Sequence, residues 1–267
     1  MRLLTNNVLA IYRKELQGYF KAPLPYVIAG IFWLLAGLFF LFILQSVVAE
    51  TAKFDLLQSQ LNEPAPSVDV PGQILQSFLG VMGSLALVIL PILSMGLYAE
   101  ERKRGTLELL ATSPITNWAV ALGKLMAVLT FFITLVIPII MLEALTFDSA
   151  SPPLPLELLL ASHLGLVLLA AAILSLGLFI SSLTDSVILA AILTFAVILV
   201  LWILDLLGES LGGPLGAVLN HLSLLKHYST LSQGVLESSS IILFVSYIIL
   251  GLFLTAQSID LFRFQRS

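Results

Sequence analysis

The sequence predicts an all-α membrane protein with six transmembrane helices. Hydrophobic residues make up 59% of the 267 residues, whereas charged residues make up only 10%. A soluble domain carries about 25% charged residues, so this chain has too few of them to form a polar surface. Six apolar stretches are each close to the roughly 20 residues that cross a bilayer as a helix. Polar or proline-containing segments separate most of them.

The first 22 residues predict an amphipathic helix that lies on the membrane surface. At helical spacing, apolar side chains gather on one broad face: Leu4, Val8, Ile11, Tyr12, Leu16, Tyr19 and Phe20. Cations lie on the opposite face, which suits a helix next to lipid headgroups; they include Arg13, Lys14 and Lys21. Ala22 and the prolines after it then end the helix and lead into span one.

Glu15 is the exception on this helix, because it lies among the apolar residues. Two interpretations are open. Its side chain either extends past the apolar surface to reach water, or it forms a fixed ion pair with a cytoplasmic cation such as Arg104 or Lys124.

The six spans follow in order along the chain. Their predicted ranges are Leu24–Val48, Gln76–Tyr98, Leu125–Leu145, Leu158–Ile180, Val187–Leu207 and, approximately, Ile241–Ile259. Pro91 and Pro138 fall inside spans two and three, where we expect kinks because proline removes a helical hydrogen bond. Between spans five and six, residues 208–240 are apolar at helical spacing, but each part is too short to span. We predict two short external helices there that are broken near Asn220–Ser223 and dip into the outer leaflet.

Lysine and arginine are distributed unevenly between the two sides of this arrangement. Of the 12, only Lys53 and Lys226 fall in the outward loops. The others lie at the two termini or around the second loop: Arg2, Arg13, Lys14, Lys21, Arg102, Lys103, Arg104, Lys124, Arg263 and Arg266. Because cytoplasmic loops carry the excess of basic residues, we predict that both termini and the second loop face the cytoplasm.

The second loop, between Ala99 and Lys124, is a charged, hydrophilic segment between two long apolar stretches. Glu100–Arg104 would continue span two as a helix, Gly105 permits a turn, and residues 106–111 predict one or two further helical turns. A merely solvated loop is one interpretation. The other is a docking site for a soluble partner, because three leucines would otherwise be exposed to water: Leu107, Leu109 and Leu110.

Several kinds of chemistry are excluded by the residues available. The chain has no cysteine, so disulfides and thiolate metal sites are excluded. It has no phosphate-binding loop, because Gly123-Lys124 is followed by Leu125 and Trp118 stands where that pattern requires glycine. No histidine has metal-ligand spacing. We therefore expect no cofactor in this chain, and its net charge of −4 gives no indication of a nucleic-acid partner.

Two other function classes stay open as alternatives. A secondary carrier or channel would require charged residues near the middle of the membrane, but the charges within spans lie near span ends: Glu143, Asp205 and Lys124. An intramembrane hydrolase is less well supported. Glu100-Glu101 with Arg104 is similar to the paired glutamates of CAAX-type proteases, but the arginine falls one position early and later spans lack the matching histidines.

The chain resembles the type-2 permease family of ABC transporters over essentially its full length. The resemblance rests on three segments: residues 12–20 (YRKELQGYF), residues 101–110 (ERKRGTLELL), and residues 222–228 (LSLLKHY) leading to Gly234-Val235. Within the family it is most similar to the branch associated with gliding motility and copper-enzyme maturation. One departure is Leu224, where the family commonly has proline after the serine.

The resemblance implies the transmembrane permease subunit of an ATP-driven exporter in a prokaryotic inner (plasma) membrane. Such a permease dimerises with an identical or paralogous copy and pairs with two separate ATP-binding subunits, which bind ATP and Mg²⁺. Membrane lipids are the other implied partners. The chain itself would then not be an enzyme.

The resemblance also assigns parts to segments of the chain. Residues 1–22 would form an elbow helix, with Arg13, Lys14 and Glu15 in its site. Residues 23–267 would form one permease domain with an external re-entrant segment at 208–240. The coupling segment at 99–118 would contain a cytoplasmic coupling helix that contacts the ATP-binding subunit through Glu101, Arg102, Arg104, Gly105, Thr106, Leu107, Glu108 and Leu109.

Overall fold

The computed structural model describes residues 2–61, 69–106, 115–150 and 153–264, which form ten helices and contain no strand. In chain order these are α1 (Arg2–Lys21), α2 (Pro23–Leu61), α3 (Val70–Ser94), α4 (Gly96–Lys103), α5 (Asn117–Asp148), α6 (Leu156–Leu183), α7 (Val187–Leu211), α8 (Gly213–Leu222), α9 (Leu224–Ser232) and α10 (Ser238–Phe264). Six segments of the described chain are long and apolar enough to cross a membrane: Pro23–Leu57, Val70–Lys103, Asn117–Asp148, Leu156–Leu183, Val187–Leu211 and Ser238–Leu261. The predicted fold class is confirmed.

Some helices extend beyond the predicted spans. Sequence analysis places the end of span one at Val48, whereas α2 continues to Leu61. Span three is predicted from Leu125, whereas α5 begins at Asn117. The reason is the same in both cases. Hydropathy identifies the residues suited to lipid, but helical hydrogen bonds between residues i and i−4 continue into the polar turns on either side.

Span two consists of two helices, α3 and α4, which meet at Met95. Pro91 lies inside α3 and Pro138 inside α5. Met95 has helical dihedrals (φ −56°, ψ −37°), and its backbone N–H donates to the Pro91 carbonyl at 3.0 Å. The chain therefore continues from α3 into α4 in a helical conformation.

The centre of the bundle is α6, in which 78% of the most apolar stretch is buried. It packs against α3, α5, α7, α9 and α10. Small residues permit close approach between membrane helices, and a Cβ on Gly251 of α10 would lie only 2.6 Å from the backbone of Ser175 on α6. By contrast, only 17% of the most apolar stretch of α7 is buried, so most of its apolar side chains face outward.

The segment between spans five and six forms α8 and α9, the two short helices that the sequence predicts. They are separated at Ser223, whose hydroxyl accepts a hydrogen bond from the backbone N–H of Lys226 at 3.3 Å and so caps α9. The hydroxyl of Tyr228 donates to the carbonyl of Leu79 at 2.6 Å. This bond fixes α9 to span two. The depth of these helices in the membrane stays a prediction.

A buried pair of ionisable side chains joins α5 to α6. Oε2 of Glu143 lies 3.0 Å from Nε2 of His163, and both side chains are almost fully buried. Nδ1 of His163 lies 2.9 Å from the carbonyl oxygen of Leu159. Each ionisable side chain therefore has the other as its neighbour in the interior, and such pairing is what makes the burial of ionisable groups tolerable.

We predict that the losses of stability caused by the two single substitutions of this pair add up to more than the loss caused by the double substitution. Glu143→Leu or His163→Leu leaves the other group buried without its partner, at a cost of about 3–5 kcal/mol. The double variant removes both polar groups, so its loss of stability should be smaller than the sum of the two single losses. Thermal unfolding of the detergent-solubilised chain measures all three. Additive losses would contradict the coupling.

Candidate functional site

Four charged side chains from three helices meet at the end of span two. They are Lys14 and Glu15 of α1, Glu101 of α4 and Lys124 of α5, and we call them the Lys124 cluster. Nζ of Lys124 lies 3.1 Å from Oε1 of Glu15 and 3.0 Å from Oε1 of Glu101. Nζ of Lys14 lies 3.6 and 3.8 Å from the same two atoms. One cation from α5 therefore joins α1 to α4.

The Lys124 ammonium is fully hydrogen-bonded although its side chain is only 2% exposed. Its third donor goes to the carbonyl of Leu97, at 2.7 Å, which accounts for all three N–H groups of an ammonium. Nζ also lies 5.0 Å from the centre of the Tyr98 ring, a favourable position for a cation. A buried lysine is stable only when it is paired and bonded in this way.

The carboxylates are less completely satisfied than the lysine. Two lysines and two glutamates make the Lys124 cluster neutral overall. Within the described residues, Oε2 of Glu101 is buried and has no hydrogen-bond partner. The cluster thus depends on Lys124, which holds one oxygen of each carboxylate.

The approach of α1 to α5 explains how the cluster forms. Gly123 allows it, because a Cβ there would lie 2.9 Å from the side chain of Ile11. The hydroxyl of Tyr19 donates to the carbonyl of Leu93 at 2.8 Å, and its ring stacks on Phe131 at 5.1 Å. Removal of the Tyr19 phenol from water, together with the nearby Glu15 carboxylate, raises its pKa. Tyr19 therefore stays protonated and able to donate.

The end of α4 has the geometry of a Schellman turn, in which a left-handed residue closes the helix. Gly105 has φ +70°, as sequence analysis anticipates for a turn there. The N–H of Gly105 donates to the Arg102 carbonyl at 3.1 Å, and the N–H of Thr106 to the Glu101 carbonyl at 2.9 Å. Glycine is needed because other residues adopt this conformation only with strain.

The structure brings together some of the sequence-predicted site residues and separates others. Lys14, Glu15 and Glu101 meet in the Lys124 cluster, which selects the ion-pair interpretation of Glu15 with Lys124 and not with Arg104. Arg104 instead pairs with Glu100 at 3.4 Å on the exposed face of α4. The remaining residues are placed as follows: Arg13 is exposed on α1, Arg102 donates to the Ser182 carbonyl at 2.9 Å, and Thr106 is exposed in the turn. The predicted positions Leu107, Glu108 and Leu109 lie outside the described residues.

Lys124 is the main site residue that the sequence suggests only weakly. Its signal is a lysine at the cytoplasmic end of an otherwise apolar span, which positive-inside statistics explain equally well. Only the contact between α1 and α5 shows that the side chain points into the protein and not toward water.

Comparison with known proteins identifies a family for the chain. The family model described as ABC-2 family transporter protein matches residues 9–267. That match includes α2 to α10 and most of α1, and therefore all four members of the Lys124 cluster. A search of curated proteins found no match.

We predict that Lys124→Met lowers the melting temperature of the solubilised chain far more than Lys14→Met does. The first change leaves two carboxylates without their buried partner, which costs about 3–5 kcal/mol. The second removes a lysine whose side chain is 69% exposed, and exposed ion pairs contribute at most about 1 kcal/mol. Adding Glu15→Gln and Glu101→Gln to Lys124→Met should restore part of the loss. Equal effects of the two lysine variants would show that the cluster is not a structural centre.

Proposed function

The chain belongs to the ABC-2 transporter family, and we propose that it forms one permease subunit of an ATP-driven exporter whose ATP is hydrolysed by separate subunits. Family membership makes it a transmembrane permease component of an ABC transporter, and such permeases generally work with ATP-binding subunits. Two points go beyond family membership: the direction of transport, and the route by which ATP hydrolysis acts on this chain.

The observation that carries the proposal is the Lys124 cluster. It ties α4, whose second half is the start of the coupling segment at residues 99–118, to α1 and α5. A force applied to the coupling segment would therefore reach the N-terminal helix and span three together. Buried, charge-paired contacts suit such a task, because breaking them is costly and they move as a unit.

Within the coupling segment, the residue types suit contact with a soluble protein. Leu107 and Leu109 would enter an apolar groove on the ATP-binding subunit. Arg104 and Glu108 would fix the orientation through charge pairing, which determines register at an interface. Glu101 and Arg102 would hold the base of the segment in the bundle, and the turn at Gly105 and Thr106 would set the angle at which it leaves α4.

The assembly in this proposal contains two permease copies, identical or paralogous, and two ATP-binding subunits that bind ATP and Mg²⁺. The outward-facing apolar side chains of α7 offer a surface for lipid or for the second copy. The complex would lie in a prokaryotic inner membrane with both termini in the cytoplasm. The branch associated with gliding motility and copper-enzyme maturation is part of the proposal, as is an amphipathic or lipid-linked substrate.

The alternative classes are supported less well. A secondary carrier uses membrane-embedded ionisable groups that bind its coupling ion. Glu143 and His163 are buried ionisable residues of this kind, but they lie 3.0 Å apart and face each other. An intramembrane hydrolase would need Glu100 and Glu101 in one site. The structure turns Glu100 toward Arg104 on the exposed face and Glu101 toward Lys124.

We predict that changes in the coupling segment release the ATP-binding subunit without disturbing the bundle. Leu107→Asp, Glu108→Arg and Gly105→Pro should each reduce its recovery when the two proteins are co-expressed and the permease is pulled down. Losing one member of a desolvated interfacial pair costs about 2–5 kcal/mol, or about thirtyfold and more in affinity. Glu50→Arg, the same charge reversal on the predicted opposite side of the membrane, is the control. Undiminished recovery, with unchanged ATPase activity in all three variants, would exclude the coupling role.

The predicted topology can be tested separately, because the chain has no cysteine of its own. Ser59→Cys, Ser149→Cys and Ser238→Cys should react with an impermeant maleimide added to intact cells, whereas Ser113→Cys and Ser186→Cys should not. The positive-inside distribution predicts that the first three lie outside the membrane and the others in the cytoplasm. Labelling of Ser113→Cys from outside would reverse the orientation.

A further inference from the structure

Where α3 passes into α4, a side chain from another helix takes part in the backbone hydrogen bonding of span two, although Met95 itself keeps helical dihedrals (φ −56°, ψ −37°). The hydroxyl of Ser181, at the end of α6, accepts hydrogen bonds from the backbone N–H groups of Tyr98 at 3.1 Å and Ala99 at 3.0 Å. It donates to the carbonyl of Met95 at 2.8 Å. One donated and two accepted bonds are the full capacity of a hydroxyl. Ser181 is completely buried.

These three bonds lie within the hydrogen-bond ladder of span two. In a continuous helix the two N–H groups would donate to the carbonyls four residues earlier, at Ser94 and Met95. A side chain inserted into this ladder replaces part of the hydrogen bonding that the helix would make by itself. Pro91 does not account for this, because the bond that it removes is to residue 87, a full turn before Met95.

The rest of the contact holds α4 against the same end of α6. Gly177 lies one helical turn before Ser181, on the same face, and a Cβ there would collide with the Ser94 hydroxyl. Arg102, near the other end of α4, donates to the carbonyl of Ser182 at 2.9 Å. The helix α4 is therefore attached to α6 through Ser181 in its first half and through Arg102 near its end.

We propose that Ser181 is a positioning residue for coupling: it holds the start of α4 against α6, and thereby sets the place from which the coupling segment extends. The inference rests on the proposed function, because it concerns how the ATP-binding subunit acts on the bundle. Ser181 acts through α4 and touches neither partner nor substrate. Without its hydroxyl, α4 keeps its attachment to the Lys124 cluster but loses its hydrogen bonds to α6 at Tyr98 and Ala99.

The first test uses the permease alone, and its readout is amide hydrogen exchange across residues 95–103. Ser181→Ala removes the acceptor of Tyr98 and Ala99, so their exchange should become about tenfold faster, the effect of losing one well-made buried bond. Ser175→Ala is the matched control. Ser175 is also a buried serine of α6, and its hydroxyl lies 2.8 Å from the Ala172 carbonyl of its own helix and 3.2 Å from the Tyr247 carbonyl of α10, so its bonds do not involve span two. Unchanged exchange in Ser181→Ala, or the same change in both variants, overturns the inference.

The second test uses the complex of the permease with its ATP-binding subunit and MgATP as the probe. The measured quantity is the stimulation of ATPase activity by the permease, compared with the ATP-binding subunit alone. In Ser181→Ala, recovery of the ATP-binding subunit and the melting temperature should match those of Ser175→Ala, while the stimulation falls about tenfold. Ser181→Cys keeps a weak acceptor at nearly the same volume and should give an intermediate value. If Ser181→Ala does not fold, the stimulation of ATPase activity is measured with Ser181→Cys in its place.

The outcomes separate the inference from the proposed function. If no ATP-binding subunit is recovered with the unmodified permease, the proposed function fails and the positioning role for coupling fails with it. If the subunit is recovered and stimulated equally by the unmodified chain, Ser181→Ala and Ser175→Ala, the proposed function stands and the role of Ser181 is refuted. A loss of stimulation that tracks a loss of melting temperature would show a merely structural role and would likewise refute it.

Discussion

The ammonium of Lys124 is the contact on which the cytoplasmic end of the bundle depends. Its three N–H groups bind Glu15, Glu101 and the carbonyl of Leu97, so one atom connects α1, α4 and α5. Burying such a charge is costly unless every donor is used, and that requirement leaves little freedom in where the three helices lie. The position of α1 along α5, the end of span two and the start of the coupling segment all follow from it.

Elsewhere in the bundle, helices are joined chiefly by single polar groups that bind the backbone of a neighbour. Tyr19 donates to the carbonyl of Leu93, Tyr228 to that of Leu79, and the indole N–H of Trp33 to that of Leu135 at 2.9 Å. Between membrane helices there is little hydrophobic driving force, so close packing and such bonds maintain the arrangement. Ser181 is the extreme case, since it takes over part of the ladder of span two.

These features together suggest how the proposed exporter transmits force. The coupling segment leaves α4 at the Gly105 turn, α4 is attached to α6 through Ser181 and Arg102, and the Lys124 cluster connects it to α1 and α5. A movement of the coupling segment would act on a short, firmly held helix and not on a flexible loop. The longer helix of span two, α3, would then keep its packing while α4 moves.

The sequence by itself determined the class, the six spans, the N-terminal helix, the two short external helices and the turn at Gly105. Each of these depends on local composition: apolar length, amphipathic spacing, or a residue that tolerates positive φ. For the Glu15 side chain the sequence left open contact with water or an ion pair with a cation such as Arg104 or Lys124. Tertiary structure decided that Lys124 is the partner, that Glu143 and His163 meet, and that Ser181 takes part in the backbone hydrogen bonding of span two. Those outcomes depend on which helices become neighbours, and a serine or lysine at a span end has the same local signal whether it faces lipid, water or another helix.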